Sequence, residues 1–315
     1  MRSRFTVHAF AESAEGGSSL SEGLDAPLHP IDVHVFPDSE SLVTARNPGE
    51  VAVIYRPLHQ PNTKLIEVVL AASALRDQGA RVVILVAPYL PYMRQDAAFA
   101  PGQAVSQRVV GAVLAEWFDG FVTVAPHLHR TRDLGTVFPR RPAMALTPVD
   151  TLAALIKRTP DPNIVLLGPD IESEPLVQAV AAAVGARFGT ASKARRGDTD
   201  VDLLLPPTLA LKGRRVILVD DMISTGQTLI GCAREALLAG AASVEALACH
   251  ALFGEDVARQ MAAAGIHRVR SCDGVPHPTN AAALGPQLAI AVRDVCWTCE
   301  EDARLAGAPA EGPQP

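Results

Sequence analysis

The chain has 315 residues, 48% of them hydrophobic and 20% charged, enough for about two domains with cores of their own. This composition excludes collagen-like and disordered classes, and five scattered Cys exclude a disulfide scaffold. With 28 Lys+Arg against 34 Asp+Glu the net charge is −6, which argues against a nucleic-acid surface but leaves room for a local pocket that takes a phosphorylated small molecule.

The opening MRSRFTVHAFAES reads as a first strand and not a signal peptide, because its apolar patch is short and carries His8. DSESLVTARNPGE (38–50) alternates around Leu42 and ends in a turn at Asn47-Pro48-Gly49. VAVIYR (51–56) is a continuous strand run. Helix spacing follows in Leu65, Val68, Val69, Ala72 and Leu75, up to a stop at Gly79. RVVILVA (81–87) is the next strand, 103–118 the next helix, and GFVTVA (120–125) another strand. The apolar run at 81–93 is cut by Pro88 and Pro91, and no run reaches the ~18 apolar residues of a membrane helix. RRPAMALTP (140–148) marks the boundary between two domains, predicted as 1–142 and 143–295.

The second half repeats the rhythm: helix 147–158, strand NIVLLG (163–168), helix 173–185, strand RRVILV (214–219), helix 228–240, then strands 243–253 and 267–272. SKARRGDTDVD (192–202), polar and charged, reads as a loop. Strands apolar on both faces, each followed by a helix, predict an α/β fold: two domains, each a mostly parallel sheet flanked by helices. Cys232, Cys249 and Cys272 read as buried free thiols, which suits a reducing compartment and a cytoplasmic location. Cys296 and Cys299 form one CWTC without the second pair of a structural zinc site. They are predicted to be two thiols in a disordered tail, 296–315.

The strongest chemical signal is RRVILVDDMISTGQTLIG. A buried strand ends in Asp220 and Asp221, and Ser224, Thr225, Gly226, Gln227 and Thr228 lead into a helix. Ligands of open parallel sheets bind beyond the strands' carboxyl ends. There a Gly-containing loop and a helix N-terminus make an anion cradle, the hydroxyls add donors, and the aspartates suit sugar hydroxyls or a metal-bound water.

This stretch resembles the phosphoribosyl-pyrophosphate loop of the phosphoribosyltransferase fold. FPDSE (36–40), PYLPYMRQD (88–96), PHLH around His127, LLGPDIESE (166–174) and SKARR (192–196) stand in the order found in ribose-phosphate diphosphokinases. The resemblance runs from about Phe36 to Val292. It implies two phosphoribosyltransferase-like domains and transfer of the diphosphoryl group of ATP to the anomeric hydroxyl of ribose 5-phosphate. It further implies that Ser224–Thr228 hold the 5-phosphate and Asp220 and Asp221 the ribose hydroxyls. Arg94, Gln95, Asp96, Phe36, Asp38 and Glu40 would bind ATP, the last three across a subunit contact. His127 and Asp170 would meet Mg2+, and Lys193 and Arg195 would act catalytically on a mobile loop, with His127 beside them. A dimer-based homo-oligomer, up to a hexamer, follows from the same likeness, with no nucleic-acid or membrane partner.

Four departures stand out. Ala125 occupies a position where the family carries Asp, and Ser39 replaces the Gly of FxDGE. Glu172 and Glu174 follow Asp170 where glycines are common, and Gln227 replaces a loop Gly. His129 is a reserve metal candidate. The alternatives are a catalytically silent paralogue that binds nucleotide and regulates an active synthetase, and a phosphoribosyltransferase that consumes phosphoribosyl pyrophosphate. The latter would leave the first domain's motifs unexplained.

Overall fold

The computed structural model describes residues 4–307 apart from 129, 132, 197–199, 207 and 208. The chain divides into two compact units, the described residues of Met1–Leu146 with Leu284–Pro315, and Thr147–Ala283.

In the first unit, β1 (Phe5–Phe10), α1 (Ala14–Leu24), β2 (Leu28–Val35), β3 (Ser41–Ala45), β4 (Val51–Tyr55), α2 (Pro61–Asp77), β5 (Val82–Val86), α3 (Ser106–Trp117), β6 (Gly120–Val124) and β7 (Ala143–Leu146) follow one another. Their sheet has the order β3-β2-β1-β4-β5-β6-β7, and only the edge strand β3 runs antiparallel. β4 and β6 are buried along their whole length, which is why they read as continuous apolar runs. Between sheet and helices the core holds Ile54, Leu58, Leu75, Leu85, Leu114 and Phe118, with Phe121 stacked on Phe138 at 3.7 Å.

In the second unit come α4 (Val149–Lys157), β8 (Ile164–Gly168), α5 (Glu174–Val184), β9 (Arg187–Thr190), β10 (Ser192–Arg196), β11 (Asp200–Leu204), β12 (Arg215–Ile223), α6 (Gln227–Leu238), β13 (Ser243–Ala251), α7 (Glu255–Ala263), β14 (Ile266–Cys272) and β15 (Asn280–Ala282). The sheet, ordered β15-β14-β13-β12-β8-β9, is parallel throughout. Val165, Leu167, Val216, Leu218, Leu229, Ala233, Ala246 and Met261 build its core.

Three expectations are corrected. Within the stretch predicted as a loop, 192–202, the described residues are strand: β10 and β11 pair antiparallel as a two-stranded ribbon apart from the main sheet. β10, SKARR, is polar and charged, and β11 brings Leu203 to the core of this unit; one such residue is too short an apolar signal to read as strands. The first unit extends past 142, because β7 pairs with β6 as its last strand. The segment 296–307, predicted disordered, is helical: α8 (Gly285–Gly307) returns to the first unit and packs on α1, β5, β6 and β7. Leu288, Val292, Val295, Cys296 and Cys299 are buried on its inner face. Fully burying one Leu or Val contributes about 1.5–3 kcal/mol, so this stripe outweighs the polar outer face that suggested a free tail.

The helix α1 (AEGGSSLSEGL) has poor intrinsic propensity and forms through contacts. A Cβ at Gly16 would lie 2.2 Å from the Tyr55 hydroxyl and one at Gly17 2.5 Å from Ala9 Cβ. Only glycine permits that close approach to the sheet.

Candidate active site

In the second unit the central strand β12 carries Asp220 and Asp221 near its carboxyl end. The Asp221 amide donates to Asp220 Oδ1 at 2.9 Å. Gly226, with φ 69°, caps the start of α6. A Cβ there would meet Val257 Cγ1 at 2.9 Å, so glycine is required both for the left-handed backbone and for the space. The loop before it exposes Thr225 and half-buries Ser224 and Thr228. Its hydroxyls thus stand at the positive end of a 12-residue helix. Gln227 turns outward, its Nε2 donating to Gln260 Oε1 at 3.2 Å, and leaves the cradle open.

The neighbouring strand β8 leads, two residues past its end, into Asp170. Its Oδ1 accepts from the Glu172 and Ser173 amides at 3.1 and 3.3 Å, and Ser173 Oγ donates back to the Asp170 carbonyl at 2.6 Å. Glu172 and Glu174 lie in the first turns that follow, where carboxylates favour the helix dipole. Cys232 Sγ donates to the Pro169 carbonyl at 3.6 Å and ties α6 to this strand end. Burial, then the charges of Asp221 and Asp170, push the Asp220 carboxyl up to about 8. Asp170, Asp220, Asp221 and the Ser224–Thr228 loop are therefore one constellation. It crowds acidic oxygen donors beside an anion cradle.

The first unit carries the other expected residues. Phe36, Asp38 and Glu40 form the exposed β2–β3 turn, in which the Phe36 amide donates to Glu40 O and the Ser39 amide to Phe36 O, both at 2.8 Å. Ser39 has φ 73°, the left-handed backbone for which the family's Gly is suited. Ser39→Gly is expected to raise the unfolding free energy by about 0.5–1 kcal/mol, net of the added freedom of the unfolded chain. Urea titration measures it, and a loss of stability would contradict a strained turn.

Arg94, Gln95 and Asp96 lie between β5 and α3. Gln95 Oε1 accepts from Ser106 Oγ at 2.6 Å. The Asp96 side chain is 2% exposed and pairs with Arg130 at 3.0 Å. This loop and the Phe36–Glu40 turn share the sheet's carboxyl edge but belong to strands three places apart, roughly 14 Å at the usual strand spacing. The fold of one unit does not merge them into one pocket. His127, half-buried, follows β6 after Ala125, which has φ 43° and whose amide donates to Leu146 O at 2.9 Å.

His127 and Asp170 belong to different units. Lys193 and Arg195 sit on β10, opposite Leu203 and Val201; their side chains, like residue His129, lie outside what the structure describes. Sequence reasoning missed Arg130 and Ser106, the anchors of Asp96 and Gln95. They lie 34 and 11 residues away from their partners, and no local pattern marks them.

Residues 6–117 match the family described as the N-terminal domain of ribose phosphate pyrophosphokinase, and residues 144–286 the phosphoribosyl transferase domain. Ribose-phosphate pyrophosphokinase of Methanopyrus kandleri is 32% identical over 292 residues, covering 92% of this chain and 99% of that one. The enzyme of the same name from Saccharolobus solfataricus is 32% identical over 241 residues, 75% and 81% of the two chains. In fold, the crystal structure of phosphoribosylpyrophosphate synthetase from Mycobacterium smegmatis superposes with a TM-score of 0.79 at 22% identity, over 94% of this chain and 99% of the other.

Proposed function

This chain belongs to the ribose-phosphate pyrophosphokinase family, and on that premise we propose how its residues carry the reaction. It is a ribose-phosphate diphosphokinase: the anomeric oxygen of ribose 5-phosphate attacks the β-phosphorus of ATP and loses its proton. The bond from that phosphorus to the α,β-bridging oxygen breaks. Phosphoribosyl pyrophosphate and AMP leave. A silent, regulatory role is not favoured.

The observation that carries the assignment of residues is the constellation of Asp170, Asp220 and Asp221 beside the Gly226-capped helix. Backbone amides of the Ser224–Thr228 loop and its hydroxyls hold the 5-phosphate, each charged hydrogen bond contributing about 1.5–3 kcal/mol. Asp220 and Asp221 accept from the ribose hydroxyls and orient the anomeric oxygen. Arg94, Gln95 and Asp96 form the nucleotide side, and Phe36, Asp38 and Glu40 complete it from a second copy. Val35, Phe36 and Leu42 are 58, 41 and 53% exposed on that edge hairpin, which supports a homo-oligomer.

The carboxylates are hard oxygen donors, and burial with the charges of Asp221 and Asp170 pushes the Asp220 carboxyl up to about 8. They fit Mg2+. Among the described residues no three His, Cys, Asp or Glu gather as a metal cage, and Mg2+ characteristically keeps waters and substrate phosphates as ligands instead. Asp170 and His127 would face it, and when bound it would neutralise charge on the transferring group. Lys193 and Arg195 supply the remaining positive charge from β10 in a transfer that depends on positioning and electrostatics. The buried thiols of Cys232, Cys249 and Cys272 support a cytoplasmic, reducing setting.

Incubation with ATP, Mg2+ and ribose 5-phosphate is expected to yield AMP and phosphoribosyl pyrophosphate in equal amounts, resolved by ion-exchange chromatography. Formation of ADP would overturn the reaction. Lys193→Ala is expected to lower turnover by about 10²-fold while leaving binding of ribose 5-phosphate in place. Unchanged turnover would remove Lys193 from the chemistry.

A further inference from the structure

We infer that Asn62 and Tyr92 are positioning residues for the nucleotide side, acting through the backbone that presents Arg94. This rests on the reading of Arg94–Asp96 as nucleotide-binding. After β5 the chain runs through Tyr89 and turns at Tyr92, whose φ is 64°. A bulky aromatic residue in the left-handed region is an outlier that persists only when its surroundings hold it. Two contacts do so. The Tyr92 carbonyl accepts from the Gln95 amide at 3.1 Å, closing a turn over Arg94. The Tyr92 hydroxyl donates to Asn62 Oδ1 at 2.5 Å.

Asn62 is the second residue of α2, and the segment leading to it is itself pinned. The Arg56 amide donates to Val86 O and the Leu58 amide to Tyr89 O, both at 3.0 Å. Lys64 Nζ donates to Pro57 O at 3.2 Å. Gln60 in this segment also takes a left-handed φ, 53°. Two strained loops thus run side by side from neighbouring strands, and the Asn62–Tyr92 bond clasps their tips.

Downstream of Arg94 the loop has its own anchors, Gln95 on Ser106 and Asp96 on Arg130. Upstream, the Tyr92 hydroxyl on Asn62 is a side-chain anchor. Arg94 therefore lies between two clasps, and loosening the upstream one shifts the backbone that presents its guanidinium without removing it. A small misplacement of a positioning group can cost far more than the contact that fixed it.

Steady-state kinetics with each substrate varied separately test this. Tyr92→Phe and Asn62→Ala are each expected to raise KM for ATP about 5-fold and to leave KM for ribose 5-phosphate unchanged. The double variant should be no worse than either single one, since both break one bond. Asn62→Asp keeps an acceptor for the hydroxyl and should restore KM to within 2-fold. Additive effects, equal rises in both KM values, or an unchanged KM for ATP in both single variants would overturn the inference. Arg94→Ala separates the two levels. If it leaves KM for ATP unchanged, the nucleotide reading of the loop falls and this inference with it. If it raises that KM while Tyr92→Phe and Asn62→Ala do not, the positioning role alone falls.

Discussion

Asp220→Asn is expected to lower kcat/KM for ribose 5-phosphate by about 10²–10³ and, in the same protein, to raise the melting temperature. The loss follows from replacing an acceptor that orients two hydroxyls by a group whose NH2 donates where an acceptor is needed; buried sites built to match a hydroxyl discriminate steeply against a mismatch. The gain follows from the carboxyl itself. In the unfolded chain Asp ionises near 3.9, whereas burial, with Asp221 and Asp170 close by, pushes Asp220 up to about 8 in the folded protein. Between those values the folded state binds more protons than the unfolded one, so this group makes stability fall as pH rises. The amide removes that liability. The stability advantage of the variant should therefore be absent near pH 4, grow through neutrality and level off above pH 8. Differential scanning calorimetry across that range reads it. In the metal-free protein Asp221→Asn, by removing a neighbouring charge, should make that advantage level off at lower pH. A variant that is both inactive and less stable at pH 8 would show that Asp220 is a structural residue.

The contrast between what was readable and what was not follows from distance along the chain. The Asp220–Thr228 site lies within nine consecutive residues, and its strand, turn and helix each carry a local signal in Val/Ile/Leu runs, Gly226 and the hydroxyls. Its partner Asp170 was legible because β8 also ends in an uninterrupted apolar run. By contrast, α1 is rich in Gly and Ser and becomes helical only because Tyr55 and Ala9 admit its glycines against the sheet. The inner stripe of α8 was hidden among Asp, Glu and Arg, and its docking surface lies on strands more than 140 residues earlier. The β10–β11 ribbon lies in a stretch of Lys, Arg and Asp, where Leu203, which packs on the core, is too little to advertise a strand. Strain was half-legible: Ser39 in place of Gly implied a penalty only if the backbone stayed left-handed, and it does. Nothing local foretells Tyr92, whose conformation depends on Asn62, 30 residues away.

Glu245→Ala is expected to destabilise the second unit by about 3–5 kcal/mol, the usual cost of leaving a buried cation without its partner. Glu245 on β13 is 3% exposed. It accepts from Arg215 Nε and Nη2, both at 2.8 Å, and from Arg270 Nη2 at 3.1 Å, with His267 Nε2 at 3.4 Å. Those guanidinia reach onward, Arg270 to the Leu155 carbonyl at 2.7 Å and Arg215 to the Thr159 carbonyl at 3.3 Å, so one carboxylate ties β12 and β14 to the end of α4. Burial alone would raise the Glu245 carboxyl, but the hydrogen bond and charge of Arg215, with the charge of Arg270, hold it below its ordinary value. Burial also pulls Arg270 down, which makes the carboxylate the group that keeps this cation tolerable in the interior. A depressed carboxyl contributes stability above its unfolded value near 4.3 and loses it as pH falls through the folded value. The gap between wild type and Glu245→Ala should accordingly be full at pH 7 and shrink in acid. Glu245→Leu combined with Arg215→Met and Arg270→Met, which removes all three charges at similar volume, should recover much of the loss. Urea unfolding at pH 7 and in acid decides the matter. A difference below about 1 kcal/mol at pH 7, or one that does not shrink in acid, would mean that the two arginines are held by the α4 carbonyls without the help of Glu245.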